Sequence, residues 1–213
     1  MTTTEVNNFC IEKILQQKES PLFIAITGDS GSGKSYFSSL IKNEFKKRNL
    51  AYTYIDFDDF LIPRKDREPM KNMYYKEGEF KGKSYWEILE NMFYLDKMKK
   101  VISDLREGKP STYVPYSRET GDISLKEKTV NPADYIIFDT SMLLNLMDFV
   151  ILVDVTRENI IKRKLKRDSD VRTPHEIIDM HNKVQGFYWD RAKPSNPDVT
   201  IDNNDVNNPK IIS

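Results

Sequence analysis

Apolar positions recur at helical spacing through residues 5–18, and Ser20-Pro21 ends the helix they predict. Leu22-Phe23-Ile24-Ala25-Ile26 then runs without a polar gap up to Gly28, which predicts a strand buried on both faces. Helical spacing returns over 34–47, where Phe37, Leu40, Ile41 and Phe45 share one face. Tyr52-Thr53-Tyr54-Ile55 predicts a second strand, and acids follow it. Residues 61–83 scatter Pro63, Pro69 and Gly78 among charges and predict a loop-rich excursion. A long helix is expected over 85–107, closed by Gly108, with a punctuated stretch through Gly121. Two apolar runs, Tyr135–Phe138 and Phe149–Val153, predict further strands. Helices are expected over 156–167 and 174–191, then an edge strand at Val199-Thr200-Ile201 and a loose, Asn-rich tail.

Strands alternating with helices predict an α/β fold with a mostly parallel central sheet. The length, 213 residues, suits a single domain over 1–213, with 61–121 as an excursion from it. In such sheets ligands bind beyond the C-terminal ends of the strands. The chemistry-bearing residues below all fall at such ends or on the helices that follow.

Gly28-Asp29-Ser30-Gly31-Ser32-Gly33-Lys34-Ser35 fits the phosphate-binding P-loop pattern, between a predicted strand and a predicted helix. The glycines let successive backbone N–H groups turn inward toward phosphate oxygens, and the helix adds its positive N-terminal end. Lys34 would reach the terminal phosphates of ATP, and the Ser35 hydroxyl would bind Mg²⁺. Asp29 is the odd member, since a carboxylate repels polyphosphate, and its side chain is expected to point away from the cradle.

Asp56, Asp58 and Asp59 close the second strand, where a carboxylate can take a proton from an acceptor hydroxyl or hold Mg²⁺ through water. Ile136-Ile137-Phe138-Asp139 is an apolar strand ending in an acid, so Asp139 is a second candidate for the Mg²⁺ shell. The helix beginning after Thr156 carries Arg163-Lys164-Leu165-Lys166-Arg167-Asp168, with Ile160, Ile161 and Leu165 as its apolar side. Arg163 and Arg167 share a face, and Arg172 follows. A basic run is usually a solvated face, but beside a P-loop it also suits a lid over 157–174 that neutralises a moving phosphoryl group.

Composition narrows the partners. Lys plus Arg and Asp plus Glu both number 33, so there is no basic footprint for nucleic acid. The apolar stretch over 135–153 contains Asp139, Asn145 and Asp148, which favours two strands over a membrane span. The lone Cys10 lies among apolar neighbours and reads as a small core residue in a reducing compartment. The N-terminus lacks signal-peptide shape, so a cytoplasmic location is expected. Tyr74, Tyr75, Phe80, Tyr85 and Trp86 either stack on a flat ligand or pack the excursion. Tyr188 and Trp189 are expected to be packing residues.

The ordered landmarks resemble the uridine kinase/phosphoribulokinase-like family of P-loop kinases over most of 22–204. Asp58-Asp59-Phe60-Leu61 resembles a family segment whose first Asp is the base, which points to Asp58. Pro115-Tyr116, the basic run at 163–168 and Pro197–Asn203 resemble further family elements. The resemblance implies a three-layer P-loop kinase with a helical lid. It also implies a Mg-ATP-dependent phosphotransferase acting on an alcohol of a small molecule, for which a nucleoside is one acceptor class. Nicotinamide riboside, pantothenate and glycerate stay open as acceptors, as do self-association and a nucleotide-dependent switch without an acceptor. Asp139-Thr140 stands where the family has Glu-Gly, and Ser84-Tyr85-Trp86-Glu87 stands where uridine kinases carry His-Pro. The phosphate-handling landmarks are matched; the nucleoside-reading one is not.

Overall fold

The computed structural model describes residues 1–212. Along the chain come α1 (Thr3–Leu15), β1 (Leu22–Thr27), α2 (Lys34–Lys47) and β2 (Tyr52–Asp56). A 3-10 turn at Phe57–Phe60, α3 (Arg64–Arg67) and α4 (Leu95–Arg106) follow. Next are β3 (Ser111–Tyr113), β4 (Tyr116–Ser117), β5 (Asp122–Ile123) and β6 (Lys128–Val130). The chain closes with β7 (Tyr135–Asp139), β8 (Phe149–Asp154), α5 (Arg157–Asp168), α6 (Pro174–Met180), α7 (Gly186–Ala192), β9 (Val199–Asp202) and β10 (Lys210–Ile211). These elements form two compact units, one of residues 1–55 with 133–213 and one of 56–132. Among the described residues no helix is long and apolar enough to cross a membrane.

The first unit is built on a mostly parallel six-stranded sheet in the order β10-β9-β8-β1-β7-β2. β1 takes the interior because all six of its residues are buried, as a run with no polar alternation must be. It pairs in parallel with β7 on one side and β8 on the other. On one face Ile24, Ile137 and Ile151 meet Val6, Cys10 and Ile14 of α1 and Phe37, Ile41 and Phe45 of α2. Phe23 and Phe138 stack at 6.2 Å between ring centroids. A Thr2–Glu5 capping box starts α1.

Three expectations change here. Val199–Asp202 is not an edge strand, because Lys210–Ile211 of the tail pairs antiparallel outside it. The helix expected over 174–191 is broken by a π-helical turn, His181–Gln185. Lys164, expected with its neighbours in a basic lid helix whose apolar side is Ile160, Ile161 and Leu165, is 2% exposed and shares the buried face of α5 with Ile160.

The second unit contains the excursion. The helix expected over 85–107 begins only at Leu95, after 3-10 turns at Tyr85–Glu87 and Leu89–Met92. Pairing with distant backbone takes the place of helical bonds: Phe93 bridges Leu61, and the Tyr94 and Ile62 amides bond the Phe60 and Met92 carbonyls. α4 buries Met98, Val101, Ile102 and Leu105, and the ladder β3–β6 and hairpin β4–β5 complete the unit.

Candidate active site

The loop from Gly28 to Gly33 joins the C-terminal end of β1 to the N-terminus of α2. Its curl demands glycine for steric reasons. A Cβ on Gly28 would lie 2.5 Å from both the Ser32 Oγ and the Val153 carbonyl. One on Gly33, at φ +106°, would lie 2.7 Å from Asn203 Nδ2. The Lys34 ammonium folds back onto the Gly28 and Asp29 carbonyls at 2.9 and 3.2 Å. Gly31, Gly33, Lys34, Ser35 and Tyr36 line an open depression of about 340 Å³ with Arg163 and Arg167. That volume lies near the lower end for small-molecule sites and suits a phosphate chain better than a whole nucleotide.

The β1–β7 register pairs Ile26 with Asp139, so this acid stands beside the start of the loop. Asp139 is 5% exposed, and its Oδ2 has no hydrogen-bond partner. The hydroxyls of Thr27 and Ser32 are also buried without partners. Orphaned buried oxygens are costly, and three of them collect here on and beside the loop. The donor set of Ser35 hydroxyl and Asp139 carboxylate is hard oxygen throughout, which fits Mg²⁺. Among the described residues no cluster of three or more His, Cys, Asp and Glu forms a metal site by itself. Such an ion would therefore share its shell with phosphate oxygens and water.

Arg163 is engaged by the loop's own carbonyls. Its guanidinium donates to the Gly31 and Ser32 carbonyls at 3.5 and 3.1 Å, and to the Asn203 and Asn204 carbonyls. Asn203 adds its own amide to the Ser32 carbonyl at 2.7 Å. Arg167 pairs with Asp168, whose carboxyl it holds below the usual carboxylate range. Arg172 does not line the depression; it lies 3.9 Å from Asp168.

Asp29 turns away from the cradle, as its charge requires. It is 7% exposed, its Oδ1 accepts from the Ser30 amide at 2.5 Å, and its Oδ2 lies 3.8 Å from His181 Nε2. His181 Nδ1 in turn faces the Lys164 ammonium at 2.7 Å. Burial pushes Lys164 down to about 8 and His181 down to about 4, and it raises the Asp29 carboxyl against the pull of Lys164. The sequence reading missed this group as a unit. The available signal was the i, i+4 spacing that puts Lys164 on the face of Ile160.

In the second unit, Asp56 caps the turn by accepting the Asp58 amide at 2.9 Å. Asp58 is ion-paired with Arg118. Asp59 accepts from the Tyr113 hydroxyl at 3.0 Å and from Lys128 at 2.7 Å. Burial first and the Asp59 charge second hold the Tyr113 hydroxyl far above its ordinary pKa. Asp58 is thus the acid of the pair held by an exposed arginine, whereas Asp59 is tied into the packing. The aromatic stretch packs on itself: Tyr75 meets Tyr85 at 4.4 Å and Phe80 at 5.6 Å between centroids. Tyr74 is the one of its residues that is mostly exposed. Tyr188 and Trp189 are buried, and the Tyr188 hydroxyl donates to the Ser141 carbonyl at 2.7 Å.

The family model of the phosphoribulokinase/uridine kinase family matches residues 23–196. Uridine-cytidine kinase A of Dictyostelium discoideum is 28% identical over 191 residues, which are 86% of this chain and 34% of that protein. The chain therefore spans about a third of that relative's length. The uridine kinase of Leuconostoc citreum is 27% identical over 187 residues, 82% of this chain and 83% of the relative. Among solved structures, D-glycerate 3-kinase from Cryptococcus neoformans superposes with a TM-score of 0.70 at 11% identity, covering 98% of each chain. At that identity the match is evidence of the shared fold.

Proposed function

Because the chain belongs to the phosphoribulokinase/uridine kinase family, we propose that it transfers the γ-phosphoryl group of Mg-ATP to an alcohol of a small molecule. One observation carries this reading. A loop curled too tightly for side chains at Gly28 and Gly33 sits beside a buried, unpartnered carboxylate oxygen on Asp139.

The loop amides and Lys34 would bind the β- and γ-phosphates. The Ser35 hydroxyl and Asp139 would hold Mg²⁺, which when bound neutralises charge on the phosphate oxygens. Lys34 leaves the Gly28 and Asp29 carbonyls to make its phosphate contact, exchanging dipoles for a full charge. Arg163 keeps the loop in shape through its carbonyls, and Arg167 faces the depression where charge builds on the moving group. Arg172 would join them from beyond α5. Asp58 would accept the proton of the acceptor hydroxyl as that oxygen bonds to the γ-phosphorus and the bridging bond to the β-phosphate breaks, releasing ADP; Asp58 must exchange Arg118 for the acceptor to do so. Positioning and charge neutralisation carry this chemistry without a covalent enzyme intermediate.

A nucleoside such as uridine is the first acceptor to test, with nicotinamide riboside, pantothenate and glycerate beside it. The experiment offers labelled ATP with each acceptor and follows label transfer. Acceptor-dependent transfer supports the reading. Slow hydrolysis that no acceptor stimulates would instead favour a nucleotide-dependent switch.

A further inference from the structure

Lys164 is the least expected side chain in the first unit: an ammonium at 2% exposure on a helix otherwise charged toward solvent. Burying a cation is costly unless its surroundings offset the lost hydration, and an apolar residue of similar length would pack without that cost. Its surroundings are polar and specific. The ammonium lies 2.7 Å from His181 Nδ1 and 2.5 Å from Gln185 Oε1. Both partners come from the π-helical turn His181–Gln185, whose wider winding marks many functional sites. The next residue, Gly186, leaves room for the ring: a Cβ there would sit 3.0 Å from His181 Nε2.

The tautomer follows from the donors. An ammonium can only donate, so Nδ1 accepts and the imidazole proton sits on Nε2. That N–H is buried, has no bonded partner, and lies 3.8 Å from Asp29 Oδ2. Asp29 Oδ1 already fixes the Ser30 amide inside the phosphate loop, and the Lys164 stem runs beneath Gly31, 3.6 Å from where a Cβ would be. Lysine, imidazole and carboxylate thus stand in order from α5, through the π turn, to the second residue of the loop.

We propose that Lys164, His181 and Asp29 act as a positioning relay that holds the phosphate loop in its nucleotide-accepting curl. The proposal rests on the reading of the loop as a nucleotide site. None of the three touches the depression lined by Lys34 and Ser35; they act through Ser30 and Gly31. Their loss should therefore weaken nucleotide binding and spare the acceptor.

The test is calorimetry with the Mg²⁺ complex of a non-hydrolysable ATP analogue, alongside KM for nucleotide and acceptor. The proteins are the full chain and its Lys164→Met, Asp29→Asn and Lys164→Met/Asp29→Asn variants, each checked for folding by circular dichroism. Each single variant should bind the analogue about 10- to 100-fold more weakly, the scale of an ångström of misplacement, with the acceptor KM unchanged. The double variant should lose little beyond the worse single one, since members of one network are not additive. If Lys164→Met fails to fold, His181→Asn takes its place in the same cycle. Folded variants that bind the analogue as tightly as the parent, or fully additive losses, would overturn the relay while leaving the nucleotide site intact. A parent chain that does not bind the analogue would instead remove the nucleotide reading itself, and the relay with it.

Discussion

The side-chain amide of Asn203, the residue after β9, reaches the Ser32 carbonyl in the phosphate loop at 2.7 Å, although 171 positions separate them in sequence. The same carbonyl takes a second bond from Arg163. The loop is thus held from outside by two elements late in the chain. Asn203→Ala should cost about 1 kcal/mol of stability, near the low end for a buried polar deletion because Arg163 stays. Denaturant midpoints check that figure. Nucleotide KM should rise while acceptor KM stays level.

Asp58→Asn keeps the size of the side chain and removes its basicity. Turnover should fall by roughly 10²- to 10⁴-fold, the usual worth of a general base. Nucleotide affinity should stay near the parent value, because Asp58 is given no phosphate contact. Steady-state rates with the true acceptor, read beside nucleotide titrations, separate the two. Full activity in Asp58→Asn would remove its role as base.

Acid should destabilise the fold through His181. Burial, and next the Lys164 charge, push its imidazole down to about 4 from an ordinary 6.5. Between those values the unfolded chain binds a proton that the folded chain refuses. The contribution is therefore complete above pH 6.5 and is lost as pH falls toward 4, by about 3 kcal/mol at most. Asp29, raised by burial, works in the opposite sense and trims the net slope. Denaturant midpoints between pH 4 and 7 should fall more steeply for the parent than for His181→Asn. Equal slopes would contradict the neutral buried imidazole.

The features legible in the sequence are those whose causes lie close together in the chain. The glycines, lysine and serine of the loop fall within eight residues, and the apolar runs beside them fix β1, β7 and β8. Asp139 was legible as a strand end; its place next to Ile26 needed the register. The misread elements depend on distant partners. Phe93 leaves a helical pattern because Leu61 pairs with it, and the π turn sets His181 against Lys164, 17 positions earlier. In the basic run the local mark was slight: Lys164 follows the buried Ile160 by four residues. β10 is two residues long, too short to show a period.

The central claim is that the turn ahead of Lys34 wraps the terminal phosphates of a nucleotide. Isothermal titration of the folded chain with Mg-ATP, repeated on Lys34→Ala, tests it most directly. The account predicts saturable one-site binding to the parent and a loss of roughly 10²-fold or more in the variant, the scale of deleting one charge-stabilising donor. No heat of binding to well-folded parent protein, or equal affinity for parent and Lys34→Ala, would contradict it.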